Sequence, residues 1–281
     1  MNRWVCGICA VASSLAAACS TSSEGSGTTG KTIQLRTVLV VAQDVTQPMT
    51  NALGWEVTLS KAYLSVGALY YFQGDPVISL RTRPRKSPLL QQLGDLLEKP
   101  AYAHPGHYIP GEAMGEMTVS TTVDLLNRAT SLASGTGVTG MTSSARFTWL
   151  APPQGPFAQE LDGHVVLVEG VAKKGDTTLP FLAKADQADV LDGNQLPEVD
   201  GCTFGIPPGI DGIDMEGDGT VTLTVVPSVW FDQVDFSYVV STDSGVTEAP
   251  SGSVDIGGTV AFRGFVRGLK KGTAYLFSYA R

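Results

Sequence analysis

Charge is scarce in this chain of 281 residues: Asp, Glu, Lys and Arg make up 16% of it, against roughly 25% in an average globular domain. Bases are the scarcer sign, 19 Lys and Arg against 27 Asp and Glu. That balance argues against a nucleic-acid binder, which needs clustered cations to neutralise phosphates. Histidine occurs three times and cysteine four times. After the first twenty residues no run approaches the ~18 apolar residues that a membrane-spanning helix requires. The sequence also has no G-x-S-x-G elbow and no H-E-x-x-H. No enzyme class is singled out, and the chain reads as a binding or structural protein.

What is present is apolar and punctuated. Hydrophobic residues make up 43%, too many for a disordered chain. The 32 glycines and 16 prolines point to many turns. Period-two alternation recurs in short segments. Ile33, Leu35 and Leu39 alternate with polar residues, as do Trp55, Val57 and Leu59. Val221, Leu223 and Val225 are set among threonines, and Tyr275, Phe277 and Tyr279 close the chain. Phe147 and Trp149 flank Thr148, and Val234, Phe236, Tyr238 and Val240 give a further alternation. The unbroken run Val165–Val168 suits a strand covered on both faces. Turn signals stand between these segments, at Gly74-Asp75-Pro76, Gly175-Asp176, Asp192-Gly193-Asn194 and Asp218-Gly219. The pattern predicts an all-β fold, an antiparallel β-sandwich of immunoglobulin-like or jelly-roll-like type, with one or two short covering helices. One helix is expected from Ser87-Pro88 through Leu97, stopped by Pro100. A second is expected over about 258–268, where Phe262, Phe265, Val266 and Leu269 fall at helical spacing; Val260, Phe262 and Val266 also fit a strand.

The first residues read as an address. Arg3 is followed by an apolar or small run from Trp4 to Ala18, the layout of a signal peptide. The run ends Leu15-Ala16-Ala17-Ala18-Cys19. It resembles a bacterial lipobox, in which small residues precede a cysteine that is lipidated and becomes the mature N-terminus. An ordinary secretory signal cut after an alanine is the alternative. Ser20 to Gly30 is small and polar throughout, the composition of a tether. The expected organisation is a signal peptide at 1–18, a lipidated Cys19 and tether at 19–30, and one β-sandwich domain at 31–281. Such a protein would be exported and membrane-anchored in the bacterial cell envelope, facing the periplasm or the outer surface. An acidic body would be repelled by anionic headgroups, so the lipid would do the anchoring. Cys6 and Cys9 would leave with the signal, and Cys202 alone would remain in the body, without a disulfide partner.

Two of the three histidines share one short stretch, Tyr102-Ala-His104-Pro-Gly-His107-Tyr108. Pro-Gly makes a tight turn, and a turn there can bring both imidazoles to one side. Glu112 and Glu116 follow, and His164 lies in a second acidic neighbourhood. Nitrogen ligands with a carboxylate suit zinc or copper. The candidate metal ligands are therefore His104, His107, His164, Glu112 and Glu116, with affinity falling as protons compete for the imidazoles below about pH 6.5. An exposed loop with histidines stacked on Tyr102 and Tyr108 is the competing reading. Met114, Met117 and Met141 are core residues or thioether ligands. Asp211, Asp214, Glu216 and Asp218 form an acidic glycine-rich loop that offers oxygens for calcium, although its spacing departs from the EF-hand pattern. A solvated turn is the simpler account of it.

Three stretches carry a resemblance. They are Gly54-Trp-Glu-Val-Thr-Leu-Ser60 with Leu69-Tyr-Tyr-Phe72, Gly163-His-Val-Val-Leu-Val-Glu-Gly170, and Asp218 through Asp232. Together they look like bacterial surface or periplasmic β-sandwich lipoproteins, some of which bind copper. The resemblance implies an envelope protein that captures or delivers a metal. The alternative function is a structural or adhesive surface module that binds protein or glycan without metal or catalysis, using aromatics such as Tyr70, Tyr71 and Tyr108.

Overall fold

A computed structural model describes residues 30–74, 113–206, 210–240, 247–248 and 252–281. The signal and the tether up to residue 29, the helix expected at Ser87–Leu97, and His104, His107 and Glu112 lie outside the described residues. The chain runs through β1 (Thr32–Val41), β2 (Met49–Thr50), β3 (Glu56–Val66) and β4 (Leu69–Phe72). Then come β5 (Ala113–Met117), β6 (Thr121–Asp124), β7 (Ala129–Ser131), β8 (Gly135–Val138), β9 (Gly140–Thr142) and β10 (Ser144–Thr148). The short helix α1 (Ala158–Leu161) precedes the hairpin of β11 (Val166–Lys174) and β12 (Thr177–Ala185). Next are β13 (Glu198–Thr203), β14 (Gly205–Ile206), β15 (Ile210–Asp211), β16 (Ile213–Met215) and β17 (Gly219–Val225). Helices α2 (Pro227–Phe231) and α3 (Ser237–Val240) lead to β18 (Thr247–Glu248), β19 (Val254–Asp255), α4 (Val260–Leu269) and β20 (Tyr275–Ala280).

The fold is all-β with a few short helices, as the alternation predicts. One sheet has the order β13-β10-β4-β5-β8-β1-β17-β20, with β7 also on β1. The other runs β18-β19-β12-β11-β3-β2, with β6 on β3. The sheets are mixed rather than purely antiparallel. β1 and β17 are parallel over seven residue pairs, from Leu35 opposite Gly219 to Val41 opposite Val225, and β12 and β19 are parallel too. Alternation cannot distinguish the two senses, because it records which face is buried and not which way a neighbour runs.

Pleating explains the burial. Along β1 the residues Ile33, Leu35, Thr37, Leu39 and Val41 point inward, and β17 answers with Val221, Leu223 and Val225. Tyr275, Phe277 and Tyr279 of β20 extend the same face. The first sheet curls until its ends meet: Phe204, just after β13, bridges to Phe277 of β20. The Phe204 and Phe277 rings stack with centroids 6.3 Å apart, and Tyr71 of β4 sets its edge against both. Val165, Val166 and Val168 are fully buried, and Leu167 on the opposite face packs with Leu161 of α1, Leu182 and Tyr63. The run is thus covered on both faces, with a helical turn supplying the second cover.

The expected helix near the C-terminus is α4, capped by Thr259, whose hydroxyl oxygen accepts from the Phe262 amide at 3.1 Å. The segment 234–240 is not the strand that its alternation suggested. Val234 and Phe236 are buried, but they lie in turns closed by Val234 N–H to the Phe231 carbonyl and Val239 N–H to the Phe236 carbonyl, leading into α3. The Asp235 carboxylate accepts from the Ser237 amide at 3.0 Å and holds the turn.

Helix α4 lies against α2 through small residues. A methyl group on Gly268 would stand 2.4 Å from the Trp230 carbonyl oxygen, and one on Gly264 2.7 Å from the Gln233 carbonyl oxygen. Backbone cannot retreat as a side-chain tip can, so Gly268→Ala forces the two helices apart. We expect a loss of about 1–3 kcal/mol, read as a lower midpoint in urea unfolding. Lys270→Ala, at the exposed C-cap of the same helix, is expected to change stability by less than about 0.5 kcal/mol.

Candidate functional site

His164 is positioned by the register of the second sheet. Helix α1 ends in a left-handed turn at Asp162 (φ 48°) and Gly163 (φ 88°), and the His164 amide then donates to the Leu161 carbonyl at 2.9 Å. The Val165 amide donates to the Ala185 carbonyl just ahead of the first ladder pair, Val166 opposite Ala185, which brings His164 and Asp186 together at the mouth of the hairpin. The His164 Nδ1 lies 2.6 Å from the Asp186 carboxylate. Asp186 is itself tied down, its amide donating to the Asp189 carboxylate at 2.9 Å. With Nδ1 held, Nε2 makes no hydrogen bond to the described residues. That is the orientation in which a metal-ligating imidazole is held by a carboxylate behind it.

Glu116 sits elsewhere. It lies on β5 of the first sheet, between Tyr70 and Thr136, and lines a shallow depression of about 210 Å³ with Thr32, Ala113, Thr136 and Val138. The described residues do not bring Glu116 and His164 to one sheet. The acidic loop is divided between two short strands: Asp211 belongs to β15, and Asp214 in β16 pairs with Met141 of β9. The Asp218 carboxylate is occupied, accepting from the Gln34 amide at 2.8 Å, and Glu216 stands 3.9 Å from Arg281. Asp214, Glu216 and Asp218 do not gather. Met114 and Met117 are core, while Met141 is exposed. The Cys202 thiol is buried and 3.3 Å from the Val199 carbonyl oxygen; burial pushes it up to about 12, which makes it inert as a thiolate. Tyr71 is a core ring rather than an exposed aromatic, which removes it from any adhesive surface.

The most perturbed carboxylate among the described residues was not visible as a site in the sequence. Arg146 of β10 stands at a register shift between β10 and β13. Its guanidinium grips the Asp200 carboxylate through Nε and, at 3.2 Å, through Nη2, and reaches Glu198 at 3.4 Å. The Phe72 ring lies beneath it, 5.6 Å from Cζ. Asp192, from the turn before β13, brings a third carboxylate, and ligand atoms of Asp192, Glu198 and Asp200 lie within 4.8 Å of one another. Burial pushes the Glu198 carboxyl up to about 7 against the pull of Arg146, and Asp200 and Asp192 push the same way as burial. The arginine already supplies the positive charge, so the arrangement is an ion-pair network that stitches β10 to β13. Glu198 and Asp200 are two apart on one strand, a spacing legible in sequence; Arg146, on a neighbouring strand, was not.

No protein family, curated protein or solved structure matches this chain.

The network makes stability depend on pH with a definite sign. Glu198 binds its proton more tightly in the folded chain than at the ordinary value of 4.5. Its cost is therefore absent in acid and grows as pH rises from about 4.5 through about 7, reaching about 3 kcal/mol at most. Urea unfolding at pH 5 and pH 8 should show Glu198→Gln relatively stabilised at the higher pH. Equal differences between wild type and variant at both values would contradict the assignment.

Proposed function

We propose that the protein is exported, held at the cell envelope by a lipid on Cys19, and binds a transition-metal ion, copper or zinc, in its β-rich body. The observation that carries this reading is the Asp186-held imidazole of His164, with Nδ1 engaged at 2.6 Å and Nε2 left to donate a lone pair. Its remaining ligands come from His104 and His107, which lie outside the described residues. Imidazole nitrogens with a carboxylate behind one of them favour zinc or copper over calcium or magnesium, which take oxygen ligands. Its role is capture or delivery of the ion. Neither Glu116, on the other sheet, nor the Arg146 network is needed for it.

Titration of zinc and copper into the signal-less chain carrying Cys19→Ser, followed by calorimetry, tests the reading. Wild type should bind one equivalent. His164→Ala and the pair His104→Ala/His107→Ala should each lose at least tenfold in affinity. Asp186→Asn should lose about tenfold or more through the tautomer it no longer holds. Equal affinity in wild type and His164→Ala eliminates the site.

A further inference from the structure

The acidic balance of the chain is not spread evenly. From Ile256 to Arg281 the sequence has no Asp or Glu, and it carries Arg263, Arg267, Lys270, Lys271 and Arg281. Three of these cations share the outer face of α4. Its buried side is Ala261, Gly264, Phe265, Gly268 and Leu269, so helical periodicity turns Arg263, Arg267 and Lys270 together to solvent, where all three are exposed. Lys271, at the end of the helix, is matched by Asp232 at 3.6 Å. Arg263 donates only to the Gly258 carbonyl at 3.3 Å, and Arg267 and Lys270 make no ion pair with the described residues. The half-buried Phe262 and Val266 border the stripe on one side and exposed Val260 on the other.

We propose that this face of α4 rests on an anionic phospholipid surface and orients the tethered body against its membrane. The inference rests on the envelope reading above only for the membrane's nearness. The helix commits its apolar face to the core and leaves a convex face of cations without ion pairs, bordered by apolar side chains, which suits contact with anionic headgroups. Charge complementarity fixes the orientation: the cationic helix turns toward the phosphates, and the acidic remainder turns away. At physiological salt, charges more than about 8 Å apart are largely screened. The patch therefore acts at contact despite the acidic whole. Each cation near such a surface contributes roughly fivefold in partitioning, so three contribute on the order of 100-fold. That suits a body already held nearby better than one captured from solution.

Sedimentation with vesicles tests this on the signal-less chain with Cys19→Ser, at millimolar lipid and low salt. Partitioning onto phosphatidylglycerol vesicles should exceed that onto phosphatidylcholine at least tenfold and vanish in about 0.5 M salt. Arg263→Gln/Arg267→Gln/Lys270→Gln should lose on the order of 100-fold with an unchanged unfolding midpoint. The proposal is overturned if the lipids bind equally, or if the triple variant binds like wild type. Binding to soluble polyglutamate with none to vesicles also overturns it and reassigns the face to an acidic protein. Fatty-acid labelling of the native chain separates the two readings. A labelled chain without lipid preference fails here alone, and an unlabelled chain that retains the preference fails only the anchor.

Discussion

The structure depends on the closure of one curled sheet by its last strand. β20 pairs with β17, which pairs in parallel with β1, and the far side of β20 reaches Phe204 beyond β13. The first and last of the described strands, β1 and β20, therefore flank β17 on its two sides. Tyr71, Phe204 and Phe277 meet where the sheet's edges meet, and Phe147, Trp149 and Tyr275 form a second aromatic group beside them. Aromatic rings bury large areas in few residues. That matters because Cys202, the single cysteine among the described residues, is free, so no disulfide restrains this part of the chain.

The second sheet is joined to this core at one end by a polar clamp. Asn51, in the turn before β3, donates from Nδ2 to the Phe231 and Val234 carbonyls at 3.1 and 2.8 Å, and its Oδ1 accepts from the Leu53 and Trp55 amides. One buried amide thus uses its donors and acceptor to tie a hairpin turn to the end of α2 and the turn that follows. At the other end, just beyond the start of the β11–β12 ladder, His164 meets Asp186. The candidate metal ligand and the cationic face of α4 are thus both by-products of strong local order: a ladder register in one case, a glycine-lined helix contact in the other.

Much of this was legible in the sequence where burial alone decides. The Val221, Leu223 and Val225 alternation and that of Tyr275, Phe277 and Tyr279 became β17 and β20, and the apolar run at 165–168 proved covered on both faces. The residues 234–240 alternate equally well, yet tight turns bury Val234 and Phe236 without a pleat. Local hydrogen bonding by Asp235 outcompeted extended pairing there. The parallel sense of β1 and β17 and the meeting of Arg146 with Glu198 and Asp200 are long-range facts, and periodicity is silent on them. Of the candidate ligands, His164 acquired a carboxylate partner that sequence adjacency did not indicate, while Glu116 went to the other sheet.

The central claim is that β1, β17 and β20 form one cooperative unit on which the fold stands. Native-state amide hydrogen exchange measures this directly. The amides of Val221, Leu223 and Phe277 should exchange only through global unfolding, with one shared free energy and one shared denaturant dependence. Exchange of Phe277 by a local, denaturant-independent opening, while β1 and β17 stay protected, would contradict the account.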